Sequence, residues 1–91
     1  MGNNYMQYPT TVKALAAEIK TACNDYNNRQ ITNEQIREII LWYATKQPNL
    51  LFSGTKLNPT VEYIIGKKRV RLVNELLDGY QQRLGGLING R

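Results

Sequence analysis

Residues 58–84 decide the fold, and they read NPTVEYIIGKKRVRLVNELLDGYQQRL. Asn58 is followed by a proline, the pair expected when an N-cap residue precedes proline at the first helical position. Gly66 can then end a short helix. Beyond it, apolar residues recur at alternating steps of three and four, which is the spacing of one helix face. That stripe consists of Val70, Val73, Leu77, Tyr80 and Leu84.

A second interpretation of the same stretch is a β-hairpin at residues 61–73. The segments 61–65 and 69–73 alternate partly between apolar and polar residues, and Gly66-Lys67 between them can form a turn. We favour two helices, because a long helical period is a more reliable signal than a strand of five residues.

Two further helices are predicted upstream. Apolar residues spaced by three or four run from Val12 to Tyr26. Thr32 and Gln35 have the spacing of a capping box, which marks the start of a helix, and Pro48 ends it. The sequence therefore predicts an all-α fold, a small bundle of three to four helices.

The length of 91 residues suits one domain with one modest core. We expect a single helical domain at residues 9–84, a flexible N-terminal arm at residues 1–8 and a flexible Gly-rich tail at residues 85–91. The apolar residues 50–52 lie in a predicted loop and are expected to fold back onto the core.

The positive charge is concentrated in the second half of the chain. The net charge is +5, from 12 Lys and Arg against 7 Asp and Glu. Several cations fall at the predicted start of the last helix, where the helix dipole is already positive. Local stability does not explain that placement, whereas a bound phosphate would. The predicted nucleic-acid or anion-binding residues are Lys56, Lys67, Lys68, Arg69 and Arg71.

Residues suited to catalysis are scarce. The chain has no histidine, and its carboxylates show neither zinc-site nor calcium-loop spacing. Cys23 lies on the apolar stripe of the first helix, where a small core residue is expected. We therefore predict a protein that is not an enzyme, has no cofactor or metal, and acts by binding a partner.

A single cysteine excludes an intrachain disulfide and favours a reducing cytoplasm. No apolar run reaches the roughly 18 residues of a membrane span, and the N-terminus lacks a signal-peptide pattern. We expect a cytoplasmic protein without a membrane partner.

Residues 8–13, YPTTVK, and residues 65–73, IGKKRVRLV, together resemble a small family found in phages and prophages of Gram-positive bacteria. The resemblance spans roughly residues 8–80. It implies an accessory phage protein in the bacterial host cell that binds DNA or a host protein, and it supplies no catalytic residue.

Two functions follow as hypotheses. The first is a regulatory protein whose basic segment at residues 67–71 contacts nucleic-acid phosphates. The long connection at residues 48–58 argues against a helix-turn-helix unit, whose turn has three to four residues. The second is an adaptor or inhibitor that binds a host protein, with homodimer formation as a further expectation. The helix predicted between Thr32 and Pro48 and the residues 50–52 are unusually apolar for so small a core.

Overall fold

The structure is a computed structural model that describes residue 5 and residues 7–89, with side chains described as far as Asp78. The fold is mostly helical, which confirms the all-α prediction. The described residues form five helices and one short hairpin. In chain order these are α1 (Val12–Asn27), α2 (Asn33–Lys46), α3 (Pro48–Leu51), β1 (Phe52–Ser53), β2 (Lys56–Leu57), α4 (Pro59–Ile65) and α5 (Lys67–Asn89).

Local capping fixes the starts of α1 and α2. The Thr11 hydroxyl accepts a hydrogen bond from the Ala14 backbone N–H at 3.0 Å. The Thr32 hydroxyl accepts from the Gln35 N–H at 3.1 Å, and the Gln35 side-chain oxygen accepts from the Thr32 N–H at 2.8 Å. The predicted capping box is therefore confirmed, and it satisfies two N–H groups that have no partner inside the helix.

The connection between α2 and α4 has more structure than the predicted loop. After α2 ends, Pro48 begins the single helical turn α3. The antiparallel pair β1–β2 follows and turns through Gly54, which has φ 68°. Leu51 and Leu57 are both buried, so this segment folds onto the core as its apolar composition predicted.

Residues 61–65 and 67–73 are helical, which excludes the hairpin alternative. The Asn58 side chain accepts from the Thr60 N–H at 2.9 Å and caps α4. Gly66 separates α4 from α5 with φ 87°, a left-handed conformation that glycine adopts without the strain of a side chain. The helical period places Val61 and Ile65 in the core together with Val73.

The core lies where α1 packs along α4 and against α2, with α5 packed against α2 and α4. Its fully buried side chains come from every helix, so the five elements share one core. The largest of them are Tyr43, Leu15, Ile19, Ile36, Ile39, Ile40, Leu51, Ile65 and Leu77.

The described part of the predicted N-terminal arm lies against the helices. Tyr5 is buried, and its hydroxyl donates to the Asp25 carboxylate. The Trp42 indole Nε1 donates to the Gln7 carbonyl at 2.9 Å, and Tyr8 packs edge-on against the indole ring. Burying a tyrosine ring offsets the entropy lost when such a segment is ordered. Residues 1–4 and 6 lie outside the described residues.

At the other end, the α5 backbone continues to Asn89. The helix thus continues past Leu84 into residues 85–89, which the sequence had assigned to the Gly-rich tail. Residues 90–91, the end of that tail, lie outside the described residues, as do the side chains of residues 79–89.

Candidate functional site

The five predicted anion-binding residues occupy three different settings. Lys67, Lys68 and Arg71 are exposed on the first turns of α5. Lys56 is exposed on β2, a separate element. Arg69 is half-buried and turns toward other helices.

Arg69 ties three helices together. Its Nε and Nη2 groups donate to the Asn24 side-chain oxygen at 3.0 and 2.6 Å, and its Nη1 donates to the Ile65 carbonyl at 2.9 Å. The Ile65 carbonyl lies at the end of α4, where carbonyls lack a partner within the helix. The sequence grouped Arg69 with the anion-binding cations, whereas the structure commits three of its donors to α1 and α4.

An open groove of about 1070 Å³ runs between α4 and α5, and we call it the α4–α5 groove. Tyr63 stands on its α4 side and is 89% exposed, and Val70 contributes an apolar surface from α5. The groove is lined by Pro59, Glu62, Tyr63, Gly66, Lys67, Val70, Arg71, Asn74, Glu75 and Asp78.

The charges in the α4–α5 groove have both signs. Lys67 and Arg71 supply two positive charges near the start of α5, while Glu62, Glu75 and Asp78 supply three negative ones. The lining residues whose side chains are described therefore carry a formal charge of −1, although the protein as a whole is basic. Of the predicted cations, the structure brings only Lys67 and Arg71 into this groove, and it places carboxylates beside them.

A smaller cleft of about 520 Å³ lies at the loop between α1 and α2. Arg29 adopts a left-handed backbone conformation there, with φ 62°. The loop is closed by local hydrogen bonds, including one from the Gln30 N–H to the Asp25 carbonyl at 2.7 Å. Among the described residues that line it, Arg29 is the one charged side chain, so this cleft offers less to a ligand than the α4–α5 groove.

The one thiol of the chain is poorly suited to nucleophilic chemistry. Burial raises the pKa of the Cys23 thiol to about 11, and the nearby Arg69 guanidinium opposes part of that rise. The thiol is therefore protonated at neutral pH, whereas a reactive cysteine needs the thiolate. Among the described residues, no group of three or more His, Cys, Asp or Glu side chains is placed to hold a metal ion.

Fold and groove together define a small helical protein with an open groove of mixed charge among its described residues. Residues 6–78 match the model of CLB_0814_fam, a family described as "Conserved hypothetical protein" and named after a Clostridium gene. The chain belongs to this family. No curated protein and no solved structure gives a significant match to the chain.

The family description names no ligand, activity or phage origin. Within the described part of the chain, every helix is too short or too polar to cross a bilayer.

Proposed function

We propose that this protein acts without catalysis, by binding another protein in the α4–α5 groove. The observation that carries the proposal is the mixed-charge lining beside a tyrosine that is 89% exposed. Tyrosine is enriched at protein interfaces, because its ring provides contact area and its hydroxyl can still form a hydrogen bond. Tyr63 is thus the natural anchor for a partner.

The signs of the charges favour a polypeptide over a nucleic acid in this groove. A phosphate backbone is negative along its whole length and would be repelled by Glu62, Glu75 and Asp78. A polypeptide can present acidic groups to Lys67 and Arg71 and basic or neutral groups to the carboxylates. In the biological setting that the resemblance implies, the protein would be a phage-type adaptor or inhibitor in the bacterial cytoplasm.

Site-specific cross-linking tests this proposal. A photoreactive benzophenone amino acid replaces Tyr63 in one variant and Lys20, an exposed residue of α1, in a control variant. On irradiation in bacterial lysate or with purified protein alone, we expect a discrete protein adduct from position 63. The adduct should survive nuclease, and the yield from position 20 should be several-fold lower. Equal labelling from both positions, or an adduct that nuclease abolishes, would contradict the proposal.

A second candidate function, contact with nucleic-acid phosphates, is favoured by one specific observation. Lys67, Lys68 and Arg71 are all exposed near the N-terminus of α5, and the first turn of that helix has no acidic residue. Backbone N–H groups and the helix dipole at such an end attract anions. Lys56 on β2 is a further exposed cation that could take part.

A salt titration with random duplex DNA tests the second candidate. Three phosphate contacts predict that affinity falls roughly 40-fold between 50 and 200 mM salt. Reversing Lys67, Lys68 and Arg71 to Glu should abolish binding, with Arg69 left unchanged because it holds the helices together. The matched control reverses the exposed Lys13, Lys20 and Arg37, which changes the net charge equally. Similar losses in both variants would show attraction to overall charge only, and no binding at 50 mM salt would end this candidate.

A further inference from the structure

We infer that the occupant of the α4–α5 groove is an amphipathic helix of a different protein, which carries an acidic and a basic side chain two turns apart. The inference rests on the proposed function, because it uses the same groove and specifies the partner. It is carried by the order of the charges along α5 and by the helical backbone of both groove walls.

The charged residues of α5 that line the groove are separated by sign. Lys67 and Arg71 lie toward the Gly66 end of the groove. Glu75 and Asp78 follow further along the same wall, so the sign changes inside the part of α5 whose side chains are described. At 1.5 Å per residue, the midpoints of the two pairs are roughly 11 Å apart along the helix. The α5 wall therefore offers an occupant one cationic and one anionic contact.

The walls of the groove favour a helical occupant over an extended one. Both walls are helices, whose backbone N–H and C=O groups pair mainly within each helix. Along residues 59–65 and 67–78, neither wall therefore has a strand edge to which an extended peptide could add through backbone hydrogen bonds. A helix satisfies its own backbone groups and binds through its side chains alone.

The dimensions of the groove match about two turns of helix. A volume of about 1070 Å³ equals that of a cylinder roughly 11 Å wide and 11 Å long, and a helix with its side chains is about 10–12 Å wide. Residues seven apart on a helix lie on one face and are separated by roughly 10.5 Å. A carboxylate and a cation at that spacing can therefore contact the cationic pair and the acidic pair of α5 together.

The groove also supplies apolar contact. Val70 lies on the α5 wall, and the exposed Tyr63 lies on the α4 wall. An apolar side chain between the acidic and basic residues of the occupant can pack against both and cover the tyrosine ring. Glu62, also on α4, adds a carboxylate to that wall and leaves the order of charges along α5 unchanged.

Peptide selection with the full chain provides the test. A displayed library of random peptides is selected for binding to the wild-type protein, and the Tyr63→Ala variant is used to remove peptides that bind elsewhere. We expect the retained peptides to share an acidic and a basic residue about seven positions apart, with an apolar residue between them. Synthetic forms of these peptides then serve as the probes.

Charge reversal identifies which end of the groove contacts which side chain. In a variant with Lys67→Glu and Arg71→Glu, the Kd of a retained peptide should rise by roughly tenfold or more. Replacing the acidic residue of the peptide with lysine should restore the Kd to within about threefold, whereas replacing the basic residue with glutamate should not. In a variant with Glu75→Lys and Asp78→Lys, rescue should come from the basic residue of the peptide instead.

The controls separate binding from folding and from overall charge. All four reversed side chains are exposed, so circular dichroism should be unchanged in both variants. A variant with Lys13→Glu and Lys20→Glu, both exposed on α1, changes the net charge as much as reversal of the cationic pair. It should leave the Kd of the peptide within about twofold of the wild-type value.

Three results would overturn the inference: no retained peptide with the expected spacing, rescue that comes from the wrong end or from neither, or a position-63 cross-link that forms only between copies of this chain. In each case, a nuclease-resistant protein adduct at position 63 leaves the proposed function standing. The absence of both a retained peptide and such an adduct would end both.

Discussion

Replacing Arg69 with methionine is expected to lower the free energy of unfolding by about 3 kcal/mol. Methionine keeps most of the apolar stem but removes the guanidinium, which donates to the Asn24 side chain and the Ile65 carbonyl. Hydrogen bonds from a charged donor contribute roughly 1.5–3 kcal/mol each, and partial rehydration of the acceptors reduces their sum. Urea unfolding followed by circular dichroism measures the loss, which corresponds to a fall of roughly 15 °C in Tm.

Lys68→Met is the matched control, because Lys68 is the adjacent cation on the same helix and is exposed. Its effect should stay within about 0.5 kcal/mol. Asn24→Ala removes the acceptor from the other side, so the double variant should be only slightly less stable than Arg69→Met alone. Equal effects of the two methionine variants would show that the Arg69 contacts contribute little to stability.

Raising the pH from 9 to 11 is expected to remove about 5 kcal/mol of stability, comparable to the total for a small domain. Burial raises the pKa of Cys23 to about 11, against its partial lowering by Arg69. Burial and the hydrogen bond to Asp25 raise the pKa of Tyr5 to about 12. Burial also raises the pKa of Tyr43 above its ordinary value of 10.

The sign of the effect follows from these directions. All three pKa values are higher in the folded state, so the folded chain keeps protons that the unfolded chain loses. The contribution is complete below pH 9 and declines as the pH rises. Each group contributes a slope of roughly 1.4 kcal/mol per pH unit above its ordinary pKa. Cys23 acts from about pH 9, and Tyr5 and Tyr43 join it from about pH 10.

Urea unfolding at pH 8, 9, 10 and 11 measures this dependence. Tyr43→Phe should reduce the slope between pH 10 and 11 by roughly a third, whatever its effect on stability at pH 8. Cys23→Ala should flatten the curve between pH 9 and 10. An unchanged slope in both variants would mean that these groups ionise without unfolding.

The start of α2 and both ends of α4 were predictable because their signals act over three or four residues. The hydroxyl of Thr32 and the amide of Gln35 form their capping box within one turn of chain. Asn58 and Gly66 likewise act on their immediate neighbours. The α3 turn and the small hairpin were not predictable in this way, because they depend on packing of Leu51 and Leu57 against distant parts of the core.

In the candidate site, too, the features that depend on neighbouring residues were predictable, and the contacts between distant residues were not. The cations of α5 were visible in the sequence, but the Arg69 contact with Asn24 joins residues 45 positions apart. No local pattern indicates such a contact. At least one carboxylate of the groove could have been predicted from the sequence. Arg71 and Glu75 are four residues apart, so they lie on the same face of a helix. The net charge of the segment does not show that carboxylates lie beside its cations.

Trp42 is an intrinsic fluorophore that lies in contact with the N-terminal segment around Gln7 and Tyr8. It is the one tryptophan of the chain. Its indole N–H donates a hydrogen bond to the Gln7 carbonyl, and the Lys46 ammonium lies 5.5 Å from the ring centroid. Lifting the segment around Gln7 and Tyr8 away from α2 would change the polarity around the indole and shift its emission. The helices, which dominate the far-ultraviolet signal, would be unaffected. Detachment of the N-terminal segment can therefore be followed optically, without a dye, and distinguished from unfolding of the domain.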